Sequence, residues 1–97
     1  MSAKFFGKYR GVVTNNVDPL QTGRIRAQVP DVFGNNQSGW AMPCVPCGVS
    51  KKVASSLPKL GDGVWIEFEQ GNPDHPIWTG CFYGSAAETP PSLKNSK

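Results

Sequence analysis

The sequence has no long apolar run and no recognisable export signal. No apolar stretch among the 97 residues approaches the ~20 residues that a membrane-spanning helix needs, so we expect no membrane-spanning segment. The N-terminal stretch MSAKFFGKYRG places too few apolar residues after Lys4 to form the core of a signal peptide. The sequence therefore predicts a protein made in a cytoplasm without a cleaved secretion signal.

Cysteine and histidine are scarce, which limits metal and redox chemistry. The three cysteines, Cys44, Cys47 and Cys81, are an odd number, whereas secreted disulfide scaffolds carry an even set. Cys44 and Cys47 form a C-x-x-C, but a structural zinc site needs four ligands, and only Cys81 and His75 could complete it. We expect small buried apolar residues here and neither metal nor cofactor. A zinc-dependent or thiol-switch regulator remains open.

What is present is a chain of short strands and turns. The 38% apolar content, with 11 glycines and 9 prolines, suits one small folded domain. Apolar and polar residues alternate most clearly in Gly23–Val29 and Val64–Glu69, the period of a half-buried strand. Residues 48–63 are predicted to be a loop with at most a short helix. The predicted strands are Lys8–Thr14, Gly23–Val29, Gly39–Cys44, Val64–Glu69 and Pro76–Phe82.

Five short strands without a long helix predict an all-β domain. At this length a closed barrel removes exposed strand edges, and a five-stranded antiparallel OB-fold barrel fits the strand count. An SH3-like barrel is the structural alternative. We expect the barrel to occupy residues 1–84 and residues 85–97 to be a polar, mobile tail.

Catalytic groups are few. Glu67 and Glu69 share one face of their strand, but it is the face opposite the apolar residues, so we expect them in solvent. His75 lies in a proline-flanked turn with no nucleophile beside it, and no phosphate-binding glycine loop is present. The sequence therefore predicts no catalytic residues and a protein that is not an enzyme.

Nucleic-acid binding is the alternative function for such a barrel. The formal charge of +3 is small for a nucleic-acid binder. Arg24 and Arg26 lie on an outward strand face without an aromatic residue, and Trp40 is the only aromatic residue of the third predicted strand. If the first strand neighbours the fourth, Lys8 and Arg10 could also pair with acidic residues there. We expect no nucleic-acid partner, although a single-strand binder remains the alternative.

Three aromatic residues are candidates for contact with a partner. Trp65 lies opposite the apolar face of its strand. Trp78 and Phe82 lie opposite the residues that the same rule assigns to the core, Ile77, Thr79 and Cys81. The three aromatic residues form either an interface or a second packed face, covered by loops or by Phe5 and Phe6.

Several motifs, in order, resemble one known family. They are YRGVVTNNVDPLQTGRIRAQVPDVFG, GWAMPCVPC and LPKLGDGVWIEFEQGNPDHPIWTGCFYG, which run from Tyr9 to Gly84. Together they resemble the OB domain of phage baseplate assembly protein V, shared with the spikes of contractile phage tails and the VgrG spikes of type VI secretion. The C-x-x-C is not part of that pattern.

The resemblance implies a structural role without a cofactor. It implies a homotrimer on the tail axis, bound to a baseplate hub protein and to a membrane-piercing spike tip or needle. It also implies a location in a virion tail baseplate or related injection particle that assembles in the bacterial cytoplasm. Many relatives continue into a β-helical needle or carry a lysozyme domain, whereas only a short polar stretch follows Gly84 here.

Overall fold

A computed structural model describes residues 3–46, 57–85 and 87 of the chain. The predicted tail and the 48–63 loop lie largely outside the described residues, so the domain boundary at residue 84 stays a prediction. No helix in the described part is long and apolar enough to span a membrane. The elements are β1 (Tyr9–Asn15), β2 (Arg26–Gln28), α1 (Pro30–Phe33), β3 (Met42–Pro43), β4 (Gly63–Phe68), a 3-10 turn (Glu69–Gly71) and β5 (Pro76–Phe82).

The five strands form one curled sheet, which confirms the predicted all-β, OB-type fold. Their order is β2-β1-β4-β5-β3, and the bridges Ile25↔Ala41 and Gln28↔Gln37 connect the two edges. The predicted antiparallel hairpin of β4 and β5 is confirmed, and so is the pairing of β1 with β4.

The purely antiparallel arrangement was wrong, because β3 runs parallel to β5. The reason is geometric. Strand directions that alternate around a ring require an even number of strands, so a ring of five must contain a parallel pair. The two-residue strand β3 forms that pair through Met42↔Ile77 and Pro43↔Trp78. The strand is short because Pro43 within it and Pro46 just after it have no backbone N–H to donate to a neighbouring strand.

The core is built from alternate residues, as the sequence predicts. Val64, Ile66 and Phe68 of β4 point inward, and the residues between them are less buried. Ala27 of β2 and its flanking residues Ile25 and Val29 are completely buried. The other members of the core are Val13, Ala41 and Trp78. Ordinary period-two alternation thus places both predicted apolar faces correctly.

An irregularity between β4 and β5 overturns the predicted facing of the β5 residues that precede it. Trp65 pairs with Gly80 and Ile66 with Trp78, so Thr79 is an extra residue without a partner on β4. A bulge of this kind reverses which side chains face the core. Trp78 therefore lies in the core at 8% exposure, whereas Phe82, beyond the bulge, pairs with Gly63 and lies on the outer face. Cys81, which was expected to face inward, is exposed although it pairs with the buried Val64.

The two ends of the cylinder differ in chemistry. At one end, the β1–β2 loop meets the turn before β4, where the Asn16 side chain donates to the carbonyl of Pro58. This apolar end exposes Val17, Leu20 and Leu60. At the other end, the N–H of Phe5 donates to the carbonyl of Gly71, and Phe33 of α1 packs on Phe68. This acidic end exposes Asp31, Glu69 and Asp74.

Candidate functional site

The outer face of β1, β4 and β5 carries a cluster that we name the outer platform: Arg10, Val12, Trp65 and Phe82. Arg10 and Val12 are the exposed residues on either side of buried Gly11 in β1. Arg10 pairs with Trp65 of β4, and Phe82 of β5 pairs with Gly63. Antiparallel pairing thus brings four side chains from three strands to one surface, opposite the core.

Two rings and one guanidinium form the centre of the outer platform. The ring centroids of Trp65 and Phe82 are 4.9 Å apart. The guanidinium carbon of Arg10 lies 5.2 Å from the Trp65 centroid and 4.9 Å from that of Phe82. Both distances are within the ~6 Å over which an aromatic face attracts a cation. The two rings therefore hold Arg10 in a defined orientation on an otherwise exposed strand face.

Gly63 makes room for this stack. A Cβ atom at position 63 would lie 2.6 Å from the Phe82 ring, well inside van der Waals contact. The glycine of the G-D-G-V-W motif is thus explained by close approach of a ring from the neighbouring strand.

Replacing Gly63 with alanine is expected to push the Phe82 ring off Trp65. We expect a loss of about 1 kcal/mol of unfolding free energy, the size of one aromatic contact, and a changed near-ultraviolet circular dichroism spectrum. Urea denaturation and circular dichroism measure the two effects. Gly39→Ala is the matched control, because nothing lies within 4 Å of the added Cβ there. Equal behaviour of the two variants would contradict the stacking.

The two cations on this side of the sheet, Lys8 and Arg10, have different partners. Lys8 forms an exposed ion pair with Glu67 at 3.7 Å, as the pairing of β1 with β4 predicts. Arg10, expected to pair with an acidic residue in the same way, lies on the aromatic rings instead. Within residues 3–46 and 57–85, no carboxylate is paired with Arg10. Its guanidinium is positioned by rings but is not neutralised.

The structure brings together two of the three predicted contact residues. Trp65 and Phe82 stack on the outer face, whereas the bulge turns Trp78 inward. Phe5 covers none of them, since it packs on Tyr9 and Phe68 at the acidic end. Contact with a partner stays a prediction for the three residues. Sequence reasoning missed Arg10 as a member of this site, because the predicted neighbourhood of β1 and β4 did not fix the register that places it opposite Trp65.

The D-P-L-x-x-G-R motif forms a loop organised around one carboxylate. Asp18 is buried and accepts hydrogen bonds from the backbone N–H groups of Leu20 and Thr22 at 2.9 and 2.8 Å. The hydroxyl of Thr22 donates to it at 2.8 Å, and Arg24 donates through Nη2 at 2.7 Å and through Nε. Such a carboxylate fixes the loop because every donor around it is satisfied.

The electrostatics of this loop follow from the same contacts. The hydrogen bond from Arg24 holds the pKa of Asp18 far below its usual value and outweighs the opposing effect of burial. The same hydrogen bond raises the pKa of Arg24. Gly23 has a φ of 83° and lies against Pro43, and its carbonyl accepts the indole N–H of Trp78 at 2.9 Å. The loop is thereby locked to β3 and β5.

A second cation–aromatic group lies on the β2–β3 side of the cylinder. The guanidinium carbons of Arg24 and Arg26 lie 5.4 and 5.7 Å from the centroid of Trp40. Arg24 is paired with Asp18, and Nε of Arg26 donates to the carbonyl of Ser38. Asp18 therefore neutralises Arg24, whereas Arg26 uses one donor on a carbonyl and keeps its charge, so this side of the cylinder offers phosphate groups one fewer free positive charge than the sequence suggests.

The cysteines do not form the small buried apolar group that was expected. Cys44 and Cys81 are both exposed, and Cys47 lies outside the described residues. The sulfur of Cys81 is partly buried and lies near Asp62. Both effects raise the pKa of the Cys81 thiol, which disfavours the reactive thiolate. In the described part of the chain, no group of three or more His, Cys, Asp or Glu side chains is arranged to hold a metal ion.

Comparison with known proteins assigns this architecture to a family. The family model for the type VI secretion system/phage-baseplate injector OB domain matches residues 9–83, from the start of β1 to just beyond β5. The type VI secretion system spike protein VgrG5 of Pseudomonas aeruginosa is 32% identical over 81 residues. That match covers 79% of this chain and 10% of the relative, so the chain spans about a tenth of the length of the curated relative it matches.

Proposed function

The chain belongs to the injector OB-domain family of type VI secretion systems and phage baseplates, and from this premise we propose that it is a trimeric structural adaptor. It joins a hub protein on the tube side to a membrane-piercing spike tip in a contractile injection particle, a phage tail or a secretion machine. The observation that carries the proposal is that the family match spans the entire described sheet.

The unlike ends of the cylinder support an adaptor. An adaptor between two different neighbours needs two different contact surfaces. The apolar end exposes large side chains, among them Val17 at 77% and Leu20 at 67%, which is unusual unless a neighbour covers them. The acidic end carries charge instead and suits a polar contact. A neighbour at the apolar end and polar contacts at the acidic end account for both surfaces.

We also propose that the chain acts without catalysis. Glu67 is engaged in an exposed ion pair with Lys8, and Asp18 is fully occupied within its own loop. A mechanical part needs side chains fixed by packing, because load passes through packed strands rather than through reacting groups. The locked Asp18 loop and the packed core provide that rigidity.

Co-expression of the full chain with its candidate hub protein tests this function. We expect a complex whose mass, measured by light scattering, contains three copies of this chain. Leu60→Ser is expected to lower recovery of a neighbour that binds the apolar end. Lys59→Ser, at the preceding exposed position, is the matched control and is expected to leave that recovery unchanged. A chain that stays monomeric and captures no hub would contradict the proposal.

A further inference from the structure

The outer platform holds an arginine whose guanidinium makes no hydrogen bond within residues 3–46 and 57–85. Arg10 is exposed and makes cation–aromatic contacts with Trp65 and Phe82. No hydrogen bond from its guanidinium is formed to any group in the described part of the chain. Because the two rings restrict the side chain, little conformational freedom remains to be lost when a ligand binds. The guanidinium of Arg10 is therefore preorganised for binding, unlike that of a freely moving surface arginine.

The chemistry that fits such a cation is a carboxylate. A guanidinium presents N–H groups in a rigid fork that matches two carboxylate oxygens, and stacking on aromatic rings leaves that fork free. The rings and Val12, which is 44% exposed, add apolar surface around it. An acidic side chain of a protein surface therefore complements the platform in both charge and shape.

The described part of the chain displays carboxylates without an ion-pair partner among its own residues. Asp18 is paired with Arg24, and Glu67 with Lys8. Asp62 accepts the backbone N–H of Lys59. The three exposed carboxylates of the acidic end have no ion pair among the described residues: Asp31, Glu69 and Asp74. A second copy can thus supply the missing group.

We infer that the outer platform of one subunit binds a carboxylate at the acidic end of a second copy of this chain. The two surfaces are different parts of the molecule, so the contact is heterologous and propagates around a cyclic axis until the ring closes. The inference rests on the trimer proposed above and states which surfaces hold it together. Charge complementarity between Arg10 and the acidic end selects a second copy as the occupant.

Two matched substitutions in the full chain test the platform. Arg10→Gln and Lys8→Gln each remove one positive charge from the same exposed side of β1, but only Arg10 lies on the rings. Light scattering across a concentration series measures the oligomer, and circular dichroism verifies folding. We expect Arg10→Gln to raise the concentration at which the trimer dissociates by roughly 10- to 100-fold. Lys8→Gln is expected to leave it unchanged.

Charge reversal identifies the carboxylate. Arg10→Glu is expected to give monomers, and one of the double variants that add Asp31→Arg, Glu69→Arg or Asp74→Arg is expected to restore the trimer. Restoration by one acidic-end variant supports the inference and names the contact. Failure of all three, or a wild-type trimer that Arg10→Gln leaves intact, overturns it while the trimer itself stands. A monomeric wild-type chain overturns both the inference and the proposed trimer.

Discussion

Replacing Asp18 with asparagine is expected to lower the thermal midpoint of unfolding by roughly 10 °C or more, because it removes the charge at the centre of the β1–β2 loop. The amide cannot accept from Leu20, Thr22 and Arg24 together as the carboxylate does. Arg24 would then keep its position over Trp40 without its counter-charge. Thermal unfolding followed by circular dichroism measures the change.

Asp74→Asn is the control for this substitution. Asp74 is exposed, and its carboxylate has no ion pair in the part of the chain that the structure describes. In solution dilute enough to dissociate a trimer, the same chemical change at position 74 is expected to shift the midpoint by no more than about 2 °C. Similar losses at positions 18 and 74 would show that the buried network does not stabilise the fold.

The contribution of Asp18 also depends on pH in a defined direction. Its pKa in the folded chain lies far below the ordinary value of 3.8, so between these two values the unfolded chain binds more protons. Stability therefore falls as the pH falls through this range. The difference in stability between wild type and Asp18→Asn should be constant above about pH 5 and shrink steadily below about pH 4. A difference already lost at pH 5 would contradict the assigned direction.

Replacing Trp78 with alanine is expected to cost about 3–5 kcal/mol of unfolding free energy, enough to unfold much of a domain this small. Trp78 is 8% exposed, packs in the core and donates to the Gly23 carbonyl. Trp78→Phe keeps most of the apolar volume but loses that hydrogen bond, for a smaller expected cost of about 1–2 kcal/mol. Urea denaturation measures both variants.

Trp65→Ala is the matched comparison on the neighbouring strand. Its ring lies on the outer face, so the expected loss is about 1 kcal/mol from the contacts with Phe82 and Arg10. The two tryptophans are thus expected to differ several-fold in their effect on stability. Equal losses, or a larger loss at position 65, would contradict the inward orientation that the bulge gives Trp78.

The sequence predicts those parts of the fold in which local alternation and tertiary packing agree. Val64, Ile66 and Phe68 point inward as their spacing requires, and the β4–β5 hairpin follows from a short connection. Even the ion pair between Lys8 and Glu67 follows from the predicted neighbourhood of β1 and β4. Where a strand is regular, its two-residue alternation is enough to assign each side chain to a face of the sheet.

The errors lie where one residue changes the register. The extra residue at Thr79 reverses the facing of the β5 residues before it, and the sequence signal for such a bulge is the neighbouring Gly80 inside PIWTGCF. Trp65 and Phe82 lie on the outer face as their strand patterns predict, and only the contact of Arg10 with them was missed, because it depends on the register between β1 and β4. Asp18 belongs to a motif visible in the sequence, but its role requires loop geometry that brings donors four and six residues away to one carboxylate.

The contrast between Val17, Leu20 and Leu60 at one end and Asp31, Glu69 and Asp74 at the other gives a single subunit a top and a bottom. In the adaptor proposed above, a subunit of this kind binds its two neighbours in one orientation only. In the reverse orientation, the carboxylates would be buried against an apolar surface and the apolar side chains would face a charged one. Both mismatches cost binding free energy. In the proposed adaptor, the orientation of each copy along the axis would thus be set by the two unlike ends of the subunit itself.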